Sequence, residues 1–453
     1  MKLSDAVMNL LARHGIRHLF HDRSAFSPEK ASLLAAAARS GIAAEGMPDL
    51  ALAEAAAEGC SAASGLAAAV IGTSASPGGS ATLQLVLNIQ HERSYALPPH
   101  RAAADRALLP FQPEDGASFD DDALAAGLYD KIGKALCLAA RAHSLQACFR
   151  LDGIRLERDA DSLRLRPFEE SDEYWELLAS EPPIRDADLD RLIDGLRSSR
   201  RPLLAVGADV RHSGAAAELR QLLDLTGIAA AASLGGLDSL PSGSPLNLGL
   251  ADGCRHAKPD LVLALGCSSA SFGLLRDAGG RLIRVNYGSC SHGNPEGAPE
   301  FNSDPRLFLT ALCSRLQAAG FSDSEKAIRR CKPRSSRLPA PEALQQPDLL
   351  VVQSHQPGLV KLLSPSPLRG GQRLIPIAGG PERAAAAALG AMIARPDRTA
   401  ALIADRRSLS AIPSELLKLL ASAGSERLPR PLPGSRILLL PLRKPAAPGP
   451  SVL

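Results

Sequence analysis

Aromatic residues make up only 3% of this 453-residue chain, with a single tryptophan, so it has little of the stacking surface that single-stranded nucleic acids require. It also lacks an excess of one charge. Lys and Arg number 51 against 48 Asp and Glu, a net charge of +3, which argues against a phosphate-binding surface and against nucleic acid as a partner. The eight cysteines are scattered without a C-x-x-C pair, which excludes the common zinc and dithiol motifs and points to a reduced, cytoplasmic setting. No run of about 18 apolar residues occurs, so no spanning helix and no membrane partner are expected. The first residues, MKLSDAVMNLLARHG, interrupt their apolar positions with polar ones at helical spacing and so do not form the core of a signal peptide. His91, His100, His212, His292 and His355 fall in predicted loops, and none has a partner at metal-ligand spacing such as H-x-x-x-H.

What is present is a regular alternation of helix-period and strand-like segments. At about 150 residues per domain, the length suggests three domains. The first, 1–155, reads as helix 3–14, strand 16–20, helices 31–40 and 50–60, strand 67–73 with the loop SASPGGSA, helix 123–142 and strand 146–151. Residues 155–185 are charged without a steady apolar period and read as a linker. The second domain, 184–321, reads as helix 186–198, strand 202–206, the loop GADVRHSG, helix 215–226 and strands 228–232, 260–265 and 281–285. A second linker, 322–347, is rich in Ser, Pro, Arg and Lys. The third domain, 345–445, reads as strand 349–352, helix 382–394, strand 399–403, helix 412–423 and strand 436–440. This alternation implies an α/β protein of three doubly wound parallel sheets with helices on both faces.

Segments in all three parts of the chain carry a family resemblance. RPLLAVGADVRHSGA (201–215), SPLNLG (244–249), KPDLVLALG (258–266) and GGRLIRVN (279–286) closely resemble the central domain of acetolactate synthase-like thiamine-diphosphate (ThDP) enzymes. LSDAVMNLLARHGIRHLF (3–20) and VIGTSASPGGSA (70–81) resemble that family's pyrimidine-binding domain. IAGGPERAAAAALGAMIARPDRTAALIADRRS (377–408) resembles the start of its diphosphate-binding domain. The family continues well beyond the strand at 436–440, so a truncated third domain is expected.

The resemblance also assigns site positions, and most hold the wrong chemistry. The family's glutamate, which promotes the reactive tautomer of the cofactor's pyrimidine, is replaced by Leu50; Asp49 precedes it and would serve as a shorter carboxylate if the register slipped by one. The family holds Mg²⁺ with a Gly-Asp-Gly turn and a later Asn-Asn pair, in keeping with the ion's demand for oxygen ligands. Here the turn reads Ala404-Asp405-Arg406, and Pro441-Leu442 replaces the pair. Asp405 is left as the residual metal ligand. Arg406 puts a guanidinium where the cation should lie, or else meets a phosphate directly. In the central domain the family binds FAD or an ADP-like group on loops at the strand ends, at the topological switch point. Those loops correspond to Gly207-Ala208-Asp209, Ser233-Leu234-Gly235, Gly249-Leu250, Gly266-Cys267-Ser268, Asn286 and Asp304. His355 falls near the family's loop after the first diphosphate-domain strand, and Cys290-Ser-His292 forms a loop cluster with no acid to orient it.

These losses imply an acetolactate synthase-like homologue without bound cofactor, a non-catalytic structural or regulatory subunit. It would self-associate as a homodimer or tetramer through helices 50–60 and 384–394, or pair with an intact family member. The alternative is a divergent ThDP-dependent carboligase or decarboxylase of 2-oxo acids, holding ThDP with Mg²⁺ or FAD/ADP in a modified way.

Overall fold

A computed structural model describes residues 1–23, 27–64, 68–75, 81–90, 121–142, 144–151, 155–163, 165–179, 184–251, 259–267, 281–286, 300–320, 344, 346–353, 368–405, 410–422, 430–431 and 437–442. Local signals set the first helices. In α1 (Leu3–Arg13) the residues Leu3, Val7, Leu10 and Leu11 fall on one buried face. In α2 (Pro28–Arg39) the Ser27 hydroxyl accepts from the Lys30 N–H at 3.1 Å, with Pro28 opening the helix. With α3 (Leu50–Ser64) and α4 (Asp121–Ala142) these pack on a five-stranded sheet. Its strands are β1 (His18–Asp22), β2 (Ala43–Met47), β3 (Ala68–Ala75), β4 (Ala81–Gln90) and β5 (Ser144–Arg150), in the order β2-β1-β3-β4-β5.

The α/β class holds throughout, but only the central sheet is parallel in every pairing. In the first sheet β4 runs antiparallel to both β3 and β5. The sequence reading missed β4, whose apolar residues it did not separate from the preceding loop. Only residues 76–80 lie between β3 and β4, far too few for the crossover that a parallel pair needs. The stretch after residue 155 is also more than a linker: Leu156, Ala160, Leu163 and Phe168 are buried in the same core as α1, α2 and α4. Residues 168–170 form a short 3-10 turn that leads into α5 (Asp172–Ala179).

The central domain contains α6 (Asp186–Ser198), β6 (Pro202–Val206), the short α7 (Ala208–His212), α8 (Ala216–Thr226), β7 (Ala229–Ala232), a 3-10 turn at Leu234–Ser239, β8 (Asn247–Leu250), β9 (Leu261–Leu265), β10 (Arg281–Asn286), β11 (Glu300–Asn302) and α9 (Pro305–Ala318). Its six strands are all parallel, in the order β11-β10-β9-β6-β7-β8, so the chain reverses direction between β6 and β9. Gly227 ends α8 at φ +65°, a left-handed cap that glycine adopts without strain.

The third domain sits between the other two. Its sheet runs β13-β12-β14-β16-β15, with β12 (Leu349–Gln353), β13 (Arg373–Ile377), β14 (Ala400–Asp405), β15 (Arg430–Pro431) and β16 (Ile437–Leu442). The helices α10 (Pro381–Ala394) and α11 (Ser414–Ser422) accompany it. Alternation along the strands divides its faces. Leu349, Val351, Ile375, Ile377 and Leu402 share a core with α10 and with α3 of the first domain. Leu350, Val352, Leu374 and Ile403 belong to the core of the central domain. β12, β13 and β14 are parallel, whereas β16 is antiparallel to both β14 and β15.

The helices 50–60 and 384–394 expected at a dimer surface meet each other within one chain, as α3 and α10. A Cβ placed on Gly59 would lie 2.0 Å from the Ala387 carbonyl oxygen, and one on Gly390 would lie 1.9 Å from that of Ala56. The two alanine-rich helices therefore pack backbone to backbone within one chain, so their burial does not call for a second copy. Among the described residues no helix is long and apolar enough to cross a membrane.

Candidate functional site

The edge between the first and third domains is where the sequence placed Asp49, Leu50 and Asp405. Leu50 opens α3, and a Cβ on Gly72 of β3 would lie 2.3 Å from its Cδ1, so the leucine rests directly on the strand backbone. Asp49 is not a free substitute carboxylate. Its Oδ1 accepts from the Leu52 N–H at 2.8 Å, an N-cap for α3. One strand over, at the end of β1, the buried Asp22 carboxylate is paired with the buried ammonium of Lys30 from α2. From the third domain, Arg383 in the first turn of α10 donates to the Ala51 carbonyl at 3.1 Å and the Ala378 carbonyl at 3.2 Å, and stands 3.5 Å from the Glu58 carboxylate. The edge is thus closed by a leucine, a capping aspartate and a bridging arginine. None of these is a carboxylate free to address a heterocycle.

The metal position fares no better. Asp405 ends β14 opposite Ile437, while Pro441 and Leu442 pair with Ala401 and Ala400 near the start of the strand. At a rise of about 3.3 Å per residue, that separates them from Asp405 by about 13–17 Å along the sheet. Magnesium ligands lie about 2.1 Å from the ion, so groups at opposite ends of the strand cannot share one. Among the described residues, no group of three or more His, Cys, Asp or Glu is placed to hold a metal ion. Among the described residues, those at these positions do not fit ThDP anchored through Mg²⁺. Arg406, His355, Cys290, Ser268 and His292 lie outside the described residues.

In the central domain the structure does bring Gly207, Ser233, Leu234, Gly266, Asn286 and Asp304 together, at the C-terminal edge of the parallel sheet around the point of reversal. The loops there are hydrogen-bonded to one another. The Gly207 N–H donates to Leu265 O at 2.8 Å, Asp209 N–H to Gly266 O at 3.3 Å, and Ser233 N–H to Val206 O at 2.9 Å. A Cβ on Gly207 would lie 1.8 Å from the Gly266 oxygen, so the glycines serve the approach of loop to loop. Leu234 begins the 3-10 turn. Asp304 caps α9, accepting from Arg306 and Leu307 N–H at 2.7 and 3.0 Å. The Asn286 amide donates to Cys267 O at 3.2 Å, while its buried Oδ1 has no hydrogen-bond partner among the described residues. Burial, reinforced by the Asp209 charge, pushes the Cys267 thiol up to about 12, which makes it inert as a nucleophile.

Sequence reasoning missed the residues that join the domains. Arg211 donates through Nη1 to Asp238 Oδ2 at 2.9 Å and to Leu374 O at 3.0 Å, and the Leu374 N–H donates to Asp238 Oδ2 at 3.1 Å. This pair satisfies the edge strand β13 as another strand would. Arg373 donates to the Ala62 and Ala63 carbonyls at 2.7 and 2.9 Å, capping the end of α3 from the neighbouring domain. Burial, with Arg398 and Arg395 nearby, lowers its guanidinium to about 10. No local pattern marks these three side chains, because their partners are distant in the chain.

Comparison with known proteins bears on the fold. Residues 189–312 match the family described as thiamine pyrophosphate enzyme, central domain. A stretch of 92 residues is 39% identical to acetolactate synthase 1, chloroplastic, from Zea mays, covering 19% of this chain and 14% of that protein. The chain therefore matches only a small part of this curated relative. The whole fold resembles a Mycobacterium smegmatis structure assigned as a thiamin diphosphate-dependent enzyme, with a TM-score of 0.61 at 16% identity, over 94% of this chain and 87% of the other.

Proposed function

We propose that this chain, a member of the thiamine-diphosphate enzyme family by its central domain and its fold, is an acetolactate synthase-like homologue that works without the cofactor as a structural or regulatory subunit. The observation that carries this reading is the antiparallel course of β16, which leaves Asp405 and the Pro441-Leu442 position at opposite ends of β14. The packing of Leu50 on Gly72 and the bridge from Arg383 to Ala51 support it from the other side of the cleft. Its partner would be a second copy or an intact family member, in a cytoplasmic setting.

The test is titration calorimetry with ThDP at saturating Mg²⁺. Little or no heat is expected, and protein as purified should contain no ThDP. A micromolar or tighter dissociation constant would sink the reading in favour of the second one, a divergent carboligase or decarboxylase of 2-oxo acids. That alternative rests on Asp405, which stands at the end of a strand where the resemblance places a metal ligand.

A further inference from the structure

The N-terminal edge of the third sheet gathers arginines. The parallel strands β12, β13 and β14 begin side by side, with Leu349 opposite both Arg373 and Ala400. The residues at and just before these starts, Asp348, Arg369, Arg373 and Arg398, therefore meet, and Arg395 at the end of α10 joins them. Arg369 donates to the Asp348 carboxylate at 2.7 Å, which also accepts from the Thr399 N–H and hydroxyl at 3.0 and 2.9 Å. Arg395 holds both oxygens of Asp397 at 3.1 and 3.0 Å, and Arg398 donates to the Gly371 carbonyl at 3.4 Å. Arg373 reaches the Ala62 and Ala63 carbonyls at the end of α3.

The charge of this cluster is one-sided. Four guanidinium groups meet the two carboxylates Asp348 and Asp397. The C-termini of α3 and α10 offset about half a charge each, which leaves about one positive charge. Arg373 registers the crowding: burial, and then the opposing charges of Arg398 and Arg395, lower its guanidinium to about 10. An added anion relieves that repulsion. Arginine suits a phosphate group in particular, because its planar fork meets two oxygens at once. Arg373 is partly buried whereas Arg369 keeps 45% of its side chain exposed, so the cluster runs from a sheltered inner group to an open rim. A small soluble anion can follow that path to Arg373, while a lipid headgroup is held back at the bilayer surface.

We propose that Arg369, Arg373, Arg395 and Arg398 bind a small soluble phosphate compound at this edge. Arg398 precedes β14 and Asp405 ends it, so the site lies about 16 Å or more along the strand from the position where the resemblance places a metal. The inference does not depend on whether the chain binds ThDP.

The probe is inorganic pyrophosphate, titrated into the full-length protein by calorimetry without Mg²⁺, so that metal-anchored binding at Asp405 does not contribute. A dissociation constant of about 1 mM or tighter is expected, and Tm should rise as pyrophosphate replaces chloride at constant ionic strength. Arg398→Gln should bind about fivefold more weakly. Asp397→Asn removes a competing carboxylate at an exposed position and should bind a few times more tightly. Melts of both variants without pyrophosphate check that the fold is kept. The proposal is overturned if pyrophosphate has no effect beyond that of chloride, the result expected if a carboxylate of the chain itself fills the cluster. Binding that neither variant alters also overturns it, since the anion then sits elsewhere. So does cosedimentation with phosphatidic acid vesicles without a response to pyrophosphate, which assigns the cluster to a lipid surface.

Discussion

Burial of single side chains accounts for much of this protein's chemistry. Burial pushes the Cys60 thiol up to about 12, as it does that of Cys267. At pH 8 such thiols are roughly one part in ten thousand thiolate, against about a quarter for an ordinary cysteine. Iodoacetamide at pH 8 should therefore leave Cys60 and Cys267 unmodified in the native protein, and peptide mass spectrometry should find them labelled only after denaturation. Leu50 makes the corresponding point about the cofactor. Replacing it with glutamate puts a carboxylate against Gly72 and should cost about 1–3 kcal/mol in denaturant unfolding. It should not create ThDP binding, because the residues at the metal position lie at opposite ends of β14. Micromolar binding by Leu50→Glu would show that reasoning to be wrong.

At the scale of elements, glycines separate space that is used from space that is free. Gly59→Ala and Gly390→Ala should each destabilise the protein by about 1–3 kcal/mol, since the added methyl meets a backbone oxygen of the facing helix. Helix propensity alone predicts the opposite sign, a gain of about 1 kcal/mol. Gly195 in α6 is the control, because a Cβ there meets nothing within 4 Å; Gly195→Ala should raise stability by about 0.5–1 kcal/mol. Urea melts of the three variants decide whether α3 and α10 pack backbone to backbone. Arg373→Met should cost about 1–3 kcal/mol, as the Ala62 and Ala63 carbonyls lose their donor.

At the scale of the molecule, pH should act through both histidines and carboxylates. Burial lowers His14 despite the opposing pull of Glu169, with Arg13 adding to the lowering; burial likewise lowers His18 against Glu45. The unfolded chain protonates these histidines first, so their contribution is complete above about pH 6.5 and is lost as pH falls through the depressed folded values. For Asp348, burial raises the pKa but is outweighed by hydrogen bonds from Thr399 and Arg369, and the net shift is downward. Its stabilisation is present above about pH 3.9 and is lost below that. Thermal melts should thus show Tm falling from pH 7 to pH 5, and less steeply in the double variant His14→Gln, His18→Gln. An equal slope in that variant would assign the effect elsewhere.

Much of this protein was legible from sequence alone. The helix at 186–198 and the strand at 202–206 agree with the structure residue for residue, because apolar period and flanking charge are local properties. The central strand-end residues Gly207, Ser233, Gly266, Asn286 and Asp304 were likewise placed on one edge, since parallel strands joined by helices deliver all their C-terminal loops to the same side. The capping role of Asp49 was not read, even though an aspartate before a helix is a local capping signal, because the family register drew attention to it as a carboxylate for chemistry. Three other features had no local signal. The antiparallel course of β16, the meeting of α3 with α10 inside one chain, and the Arg211–Asp238 grip on Leu374 each join residues far apart in sequence. A strand's residues specify that its backbone must be paired but not by which neighbour or in which direction. That choice depends on which unpaired edge and which apolar face remain once the chain has packed.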